Sequence, residues 1–112
     1  MSDKAWKALE RRVARFFGGE RNALSGRNSK AGSSGDVLHP NLYVECKQRV
    51  RHSAVTLWDK TNAEATKEGK LPVVVLAEKN RPGFWVLVHS DDLKAVGRAR
   101  EQFGKEGEGC LT

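Results

Sequence analysis

At 112 residues, 38% hydrophobic and 30% charged, the chain is of single-domain size and is too apolar for intrinsic disorder. No apolar run approaches the roughly 20 residues that cross a bilayer, and two cysteines, Cys46 and Cys110, are too few for a disulfide framework; both point to a cytoplasmic protein. The formal charge is +6, with 12 Lys/Arg against 6 Asp/Glu in residues 1–60 and 8 of each in residues 61–112. The basic excess therefore lies in one half, and it suits a polyanionic partner.

The first element is a helix over residues 4–17, capped by Asp3. Trp6, Leu9, Val13, Phe16 and Phe17 recur at helical spacing and form one apolar stripe. Glu10 projects at the edge of that stripe, as a residue that keeps its carboxylate in water or as part of a site. Gly18-Gly19 ends the helix. Residues 20–35 are polar and rich in Gly, Ser and Asn, with a weak strand expected over residues 22–26. The Asn28–Gly35 part reads as a loop that suits closure over a phosphate backbone, and Arg27, Lys30 and Ser34 are its candidate contacts.

Residues 33–49 carry the chemistry. Val37-Leu38 close one strand, His39-Pro40-Asn41 turn the chain, and residues 42–47 rise as a second strand. Alternation sets Leu42, Val44 and Cys46 on one face and Tyr43, Glu45 and Lys47 on the other. Asp36, across the turn, can fold back beside Glu45. Two carboxylates and a lysine on one spot suit metal-assisted phosphodiester cleavage, because Mg²⁺ takes oxygen ligands and usually only one or two protein carboxylates. The Cys46 backbone carbonyl offers a third oxygen. Lys47 is placed to orient a water or to stabilise charge building at phosphorus. The plainer reading of the same triplet is a surface Glu45–Lys47 ion pair, a common feature contributing about 0–1 kcal/mol.

Gln48, Arg49 and Arg51 then carry polar and basic groups out of the site. A second helix over residues 54–68 sets Ala54, Leu57, Trp58, Thr61 and Ala65 along one side, with Trp58 packing on a sheet. Val73 to Ala77 is a continuous apolar run, expected to be a strand covered on both faces. A turn at residues 80–83 leads to a partner strand over residues 84–88. Ser90 caps a last helix reaching about residue 103, with Leu93, Val96, Ala99 and Phe103 inward. Residues 1–104 make one domain and 105–112 a loose tail. His39, His52 and His89 lack zinc spacing, and neither a P-loop nor a dinucleotide fingerprint is present, so no nucleotide cofactor is expected.

Gly35-Asp36, a short turn, then Val44-Glu45-Cys46-Lys47 resembles the signature of the PD-(D/E)xK nuclease superfamily. With Glu10-Arg11 on the first helix, the chain is similar to the archaeal-type Holliday junction resolvases, which phages also carry. Gly35 stands where the superfamily name has proline. The resemblance covers about residues 4–95 and implies an α/β fold with a restriction-endonuclease-like core, a mixed β-sheet flanked by helices. It implies a Mg²⁺-dependent, structure-selective endonuclease for four-way DNA junctions, with Mn²⁺ able to substitute. Asp36 and Glu45 are then the metal ligands, Glu10 assists directly or through a water, and Lys47 serves the attacking water. Arg11 joins Arg27, Lys30, Ser34, Gln48, Arg49 and Arg51 as DNA contacts. The partners implied are branched DNA and a second copy of the chain. Two other readings stand beside it: a related nuclease acting on flaps, ends or duplex sites, and a non-catalytic basic module whose acids are structural.

Overall fold

Helix α1 spans Ser2–Phe17 in the computed structural model, which describes residues 2–23 and 34–104. The helix begins at Ser2, so Asp3 lies within it rather than at the cap. The backbone divides into two compact units, Met1–Val50 and Arg51–Thr112.

In the first unit α1 packs against an antiparallel pair, β1 (Glu20–Arg21) and β2 (Val37–Leu38), with Glu20 opposite Leu38 and Arg21 opposite Val37. The buried line of α1 is Glu10 and Ala14, one turn apart, with Leu9 and Val13 half-buried beside them. Trp6, Phe16 and Phe17 are exposed, so the inward face is rotated from the large apolar stripe. The small Ala14 permits the close approach that follows. Gly18 turns left-handed at φ 76°, and the Gly19 amide donates to the Ala14 carbonyl at 2.8 Å. That reversal lays Gly19 directly on β2, where a Cβ would overlap the Leu38 carbonyl oxygen and stand 2.8 Å from Val37 Cγ1. Val37, under this contact, is the buried apolar centre of the unit.

Two strands expected here are shorter than their apolar patterns suggest. The first is β1, earlier than residues 22–26; Asn22 has already left it, and residues 24–26 lie outside the described residues. The second, residues 42–47, makes one bridge, Val44 with Val37. The Asp36 amide donates to the Val44 carbonyl at 2.8 Å, but the Cys46 amide turns to the Asp36 side chain instead of a strand. A local carboxylate thus competes with the ladder for its donor. His39 holds the intervening turn, its Nδ1 accepting from the Asn41 and Leu42 amides at 3.0 and 3.1 Å.

In the second unit α2 (Ser53–Lys67) lies on the hairpin of β3 (Val74–Leu76) and β4 (Trp85–Leu87), with Val74 opposite Leu87, Val75 opposite Val86 and Leu76 opposite Trp85. A single 3₁₀ turn, Ser90–Asp92, leads into α3 (Leu93–Phe103). The cap is His89, not Ser90: its Nδ1 accepts from the Asp91 amide at 3.0 Å. Trp58 is half-buried and packs on the His89 ring, 5.5 Å between centroids. The apolar run is covered on one face only. Val74 is buried, whereas Val73, Val75 and Val86 are exposed, because within this unit α2 packs on one side of the hairpin. Leu93 and Phe103 are exposed as well, and Val96 is half-buried. The chain is thus a mixture of helices and small antiparallel sheets; a single mixed sheet is not formed among the described residues. The tail over 105–112, with Cys110, lies outside them.

Two glycine substitutions should move stability in opposite directions. Gly19→Ala drives a methyl into the β2 backbone and should lower the unfolding free energy by about 1–3 kcal/mol. Gly97→Ala, in α3 with open space around it, should raise it by about 0.5–1 kcal/mol. Urea unfolding of the two variants measures both signs.

Candidate functional site

Glu10 is the anchor of the candidate site. Its side chain has 0% exposure, yet it belongs to the most hydrated class of residues. Arg21, brought beside it by the Gly18-Gly19 reversal and the β1–β2 pairing, donates from Nε to Glu10 Oε1 at 2.8 Å. The Arg21 guanidinium also lies over the Trp6 ring, 5.8 Å from its centroid, so it is held from both sides. Glu10 Oε2 has no hydrogen-bond donor. Asp36 is a neighbour of the Glu10 carboxyl, close enough to share a hydrogen bond when one of the two carries a proton.

Magnitudes explain the consequence. Removing a carboxylate from water costs several kcal/mol even after relaxation, and one charge-assisted hydrogen bond gives back about 1.5–3 kcal/mol. Burial therefore pushes the Glu10 carboxyl above its ordinary 4.5, the Asp36 charge pushes the same way, and Arg21 opposes without cancelling them.

Asp36 is buried and held by backbone. Its carbonyl accepts from the Asn22 amide at 3.0 Å, and Asn22 Nδ2 donates to the adjacent Gly35 carbonyl at 2.9 Å. Its Oδ2 accepts the Cys46 N–H at 2.6 Å, a short charge-assisted bond. That bond brings the 45–47 segment to the Glu10–Asp36 pair. Burial raises the Cys46 thiol pKa, and Asp36, Glu10 and Glu45 each raise it further, so all three carboxylates act on one point. Glu45 itself is half-exposed and pairs with Lys47 Nζ at 3.1 Å. At that exposure the pair contributes about 0–1 kcal/mol, and parting it for another ligand costs little. Among the described residues no three His, Cys, Asp or Glu side chains already converge as a metal-binding group.

The site thus brings together Glu10, Asp36, the Cys46 backbone and the Glu45–Lys47 pair. Ser34 is exposed, its hydroxyl 2.9 Å from the Tyr43 hydroxyl. Gln48 and Arg49 are exposed immediately after it, and Arg11 is exposed on α1. Arg51 is exposed at the start of the second unit. Arg27 and Lys30 lie outside the described residues. Sequence reasoning missed Arg21 and Asn22 as parts of this arrangement. Neither belongs to a periodic pattern, and their partners are 11 and 13 residues away. The one local signal was the Gly18-Gly19 break, which returns the next two residues onto the helix.

Comparisons of the chain with protein-family models, with curated proteins and with solved structures found no match.

Because the folded-state pKa of Glu10 is raised, its protonated form favours folding. That contribution is complete below the unfolded value near 4.5 and is lost as pH rises through the higher folded value. Glu10→Gln keeps an acceptor for Arg21 and offers an N–H towards Asp36. In chelator, its melting temperature should exceed wild type at neutral pH, and the gap should close as pH falls below about 5. Paired thermal melts across that range test this, and a gap independent of pH would refute it.

Proposed function

We propose that the chain is a Mg²⁺-dependent, structure-selective DNA endonuclease that resolves four-way junctions by phosphodiester hydrolysis, on a restriction-endonuclease-like core. The observation that carries this reading is the fully buried Glu10 carboxylate, one oxygen of which lacks a donor beside Asp36. Two adjacent carboxylates with one vacant oxygen fit a hard divalent cation, which prefers oxygen ligands and tolerates few from protein. Asp36 and Glu45 would hold the ion, with the Cys46 carbonyl, and Glu10 would assist directly or through a water. Bound there, Mg²⁺ supplies polarisation of the scissile phosphate and a more acidic water, with Mn²⁺ able to substitute.

The remaining work falls to side chains. Arg21 engages Glu10 Oε1 and would leave Oε2 for the ion. The Cys46 N–H orients Asp36 through Oδ2 and leaves its other oxygen available. Lys47, released from Glu45, orients the attacking water or stabilises charge at phosphorus. Arg11, Arg27, Lys30, Ser34, Gln48, Arg49 and Arg51 would contact the DNA backbone. No helix is long and apolar enough to cross a membrane among the described residues. A symmetric junction asks for two opposed cuts, so the acting species is a homodimer, with twice the 12.4 kDa chain mass by light scattering.

A second reading follows from the Glu45–Lys47 contact: a basic DNA-binding module in which that pair is plain surface and Glu10 and Asp36 are structural. Cleavage assays on four-way, flap and linear DNA, in Mg²⁺ and in EDTA, separate it from the nuclease. Asp36→Asn keeps an acceptor for the Cys46 amide and offers the Glu10 carboxylate a donor. It should melt no lower than wild type in EDTA and bind junctions at least as tightly. It should lose both the thermal shift caused by Mg²⁺ and cleavage. Lys47→Ala should bind normally and cut about 10²–10³-fold more slowly. Mg²⁺-dependent cutting at the wild-type rate by a well-folded Asp36→Asn protein would refute the assignment.

A further inference from the structure

The chemistry proposed for the first unit uses none of the aromatic side chains of the second. Beyond β3 the chain turns through Asn80 (φ 64°) and Gly83 (φ 77°) into β4. Asn is among the few non-glycine residues that adopt the left-handed region readily. The turn is tied internally: the Arg81 amide donates to the Glu78 carbonyl at 3.2 Å, and Arg81 Nη1 donates to Glu78 Oε1 at 2.7 Å. Those two bonds set the Arg81 guanidinium over the Trp85 ring, 4.7 Å from its centroid. Both groups nevertheless stay open to water, Trp85 at 48% and the Arg81 side chain at 58%. Between them and Leu76, Ala77 and Glu78 lies an open cleft of about 270 Å³. Phe84, next in the chain, is 63% exposed.

A half-exposed indole beside a guanidinium plane, at the end of a hairpin whose turn is internally bonded, is a stacking surface with a charged edge. Its chemistry matches a planar, polar-edged aromatic group attached to an anionic chain. We infer that the β3–β4 hairpin tip binds an unpaired nucleobase, stacked at Trp85 and Arg81, with Lys79 and Arg81 near its phosphates. Resting on the nuclease reading, this makes the hairpin the element that recognises unstacked bases at a branch, whereas the first unit cuts. At the tip itself Lys79 and Arg81 outnumber Glu78, and this local surplus favours a nucleic acid over a peptide as occupant.

The test uses the full chain in EDTA, so that binding is read without cleavage. The probes are a short oligothymidylate carrying one 2-aminopurine and a continuous duplex of the same length. Wild type should quench the 2-aminopurine. Trp85→Ala should weaken single-strand binding roughly 5- to 100-fold, with the log–log salt slope unchanged, because stacking releases no counterions. Trp85→Phe should retain most of the affinity, and duplex binding should be the same in all three proteins. Arg81→Gln, checked for an unchanged melting temperature because Arg81 also ties the turn to Glu78, should weaken single-strand binding and flatten its slope. Unaltered single-strand affinity in both Trp85→Ala and Arg81→Gln, or equal losses on duplex, would overturn the inference. Cleavage of four-way DNA in Mg²⁺ is scored separately. Wild-type cutting with inert hairpin variants would sink the stacking site alone, and stacking without any cutting would sink the nuclease reading alone.

Discussion

Burying the Glu10 carboxylate costs several kcal/mol, and the hydrogen bond from Arg21 offsets only part of that. The first unit is built around that deficit. The Gly18-Gly19 reversal brings Arg21 to one oxygen, and the β1–β2 pairing brings Asp36 beside the same carboxyl. Asp36 in turn draws the Cys46 amide out of a strand and towards the pair. Removing Arg21 would leave a buried charge uncompensated, and removing the Cys46 contact would free the segment bearing Glu45 and Lys47. A fold organised only for stability would place an apolar side chain at position 10 of this helix. Keeping an acid there, with one oxygen unsatisfied, is the kind of local cost that accompanies a functional site.

The second unit distributes its stability differently. Its helix and hairpin share a thin apolar layer of Val74, Pro72 and the half-buried Trp58 and Leu87, and no titratable group is buried in it among the described residues. The indole Nε1 of Trp58 is buried without an acceptor, a cost of about 1–3 kcal/mol that its packing on His89 has to exceed. Precision in this unit lies in its turns. The His89 cap and the Glu78–Arg81 tie each fix a chain reversal by a local hydrogen bond. Rigid turns between exposed apolar strands suit a unit that presents surface rather than encloses a site.

Much of this organisation was legible in the residues. Helical periodicity located all three helices to within about two residues, since the apolar repeat is a property of neighbours in sequence. The alternation through residues 42–47 set Leu42, Val44 and Cys46 on one face; Val44 and Cys46 are half-buried and Tyr43, Glu45 and Lys47 exposed, but Leu42 is exposed as well, since those residues form only one bridge. What failed was the assumption that apolar means covered. Val73, Val75, Phe16, Phe17 and Phe103 are apolar and exposed, because coverage depends on which layer arrives from elsewhere in the chain.

The sequence by itself determined the three helices and the β3–β4 hairpin among the described residues, the basic bias of the first half, and the carriage of Asp36, Glu45 and Lys47 on one short segment. These follow from side-chain spacing and backbone preference, which act over a few residues. Only the tertiary structure decided that Glu10 is wholly buried, that Arg21 and Asn22 hold it and Asp36 in place, and that one Glu10 oxygen is left without a donor. Those facts depend on desolvation and on hydrogen bonds between residues 10 or more positions apart, and no local pattern encodes either.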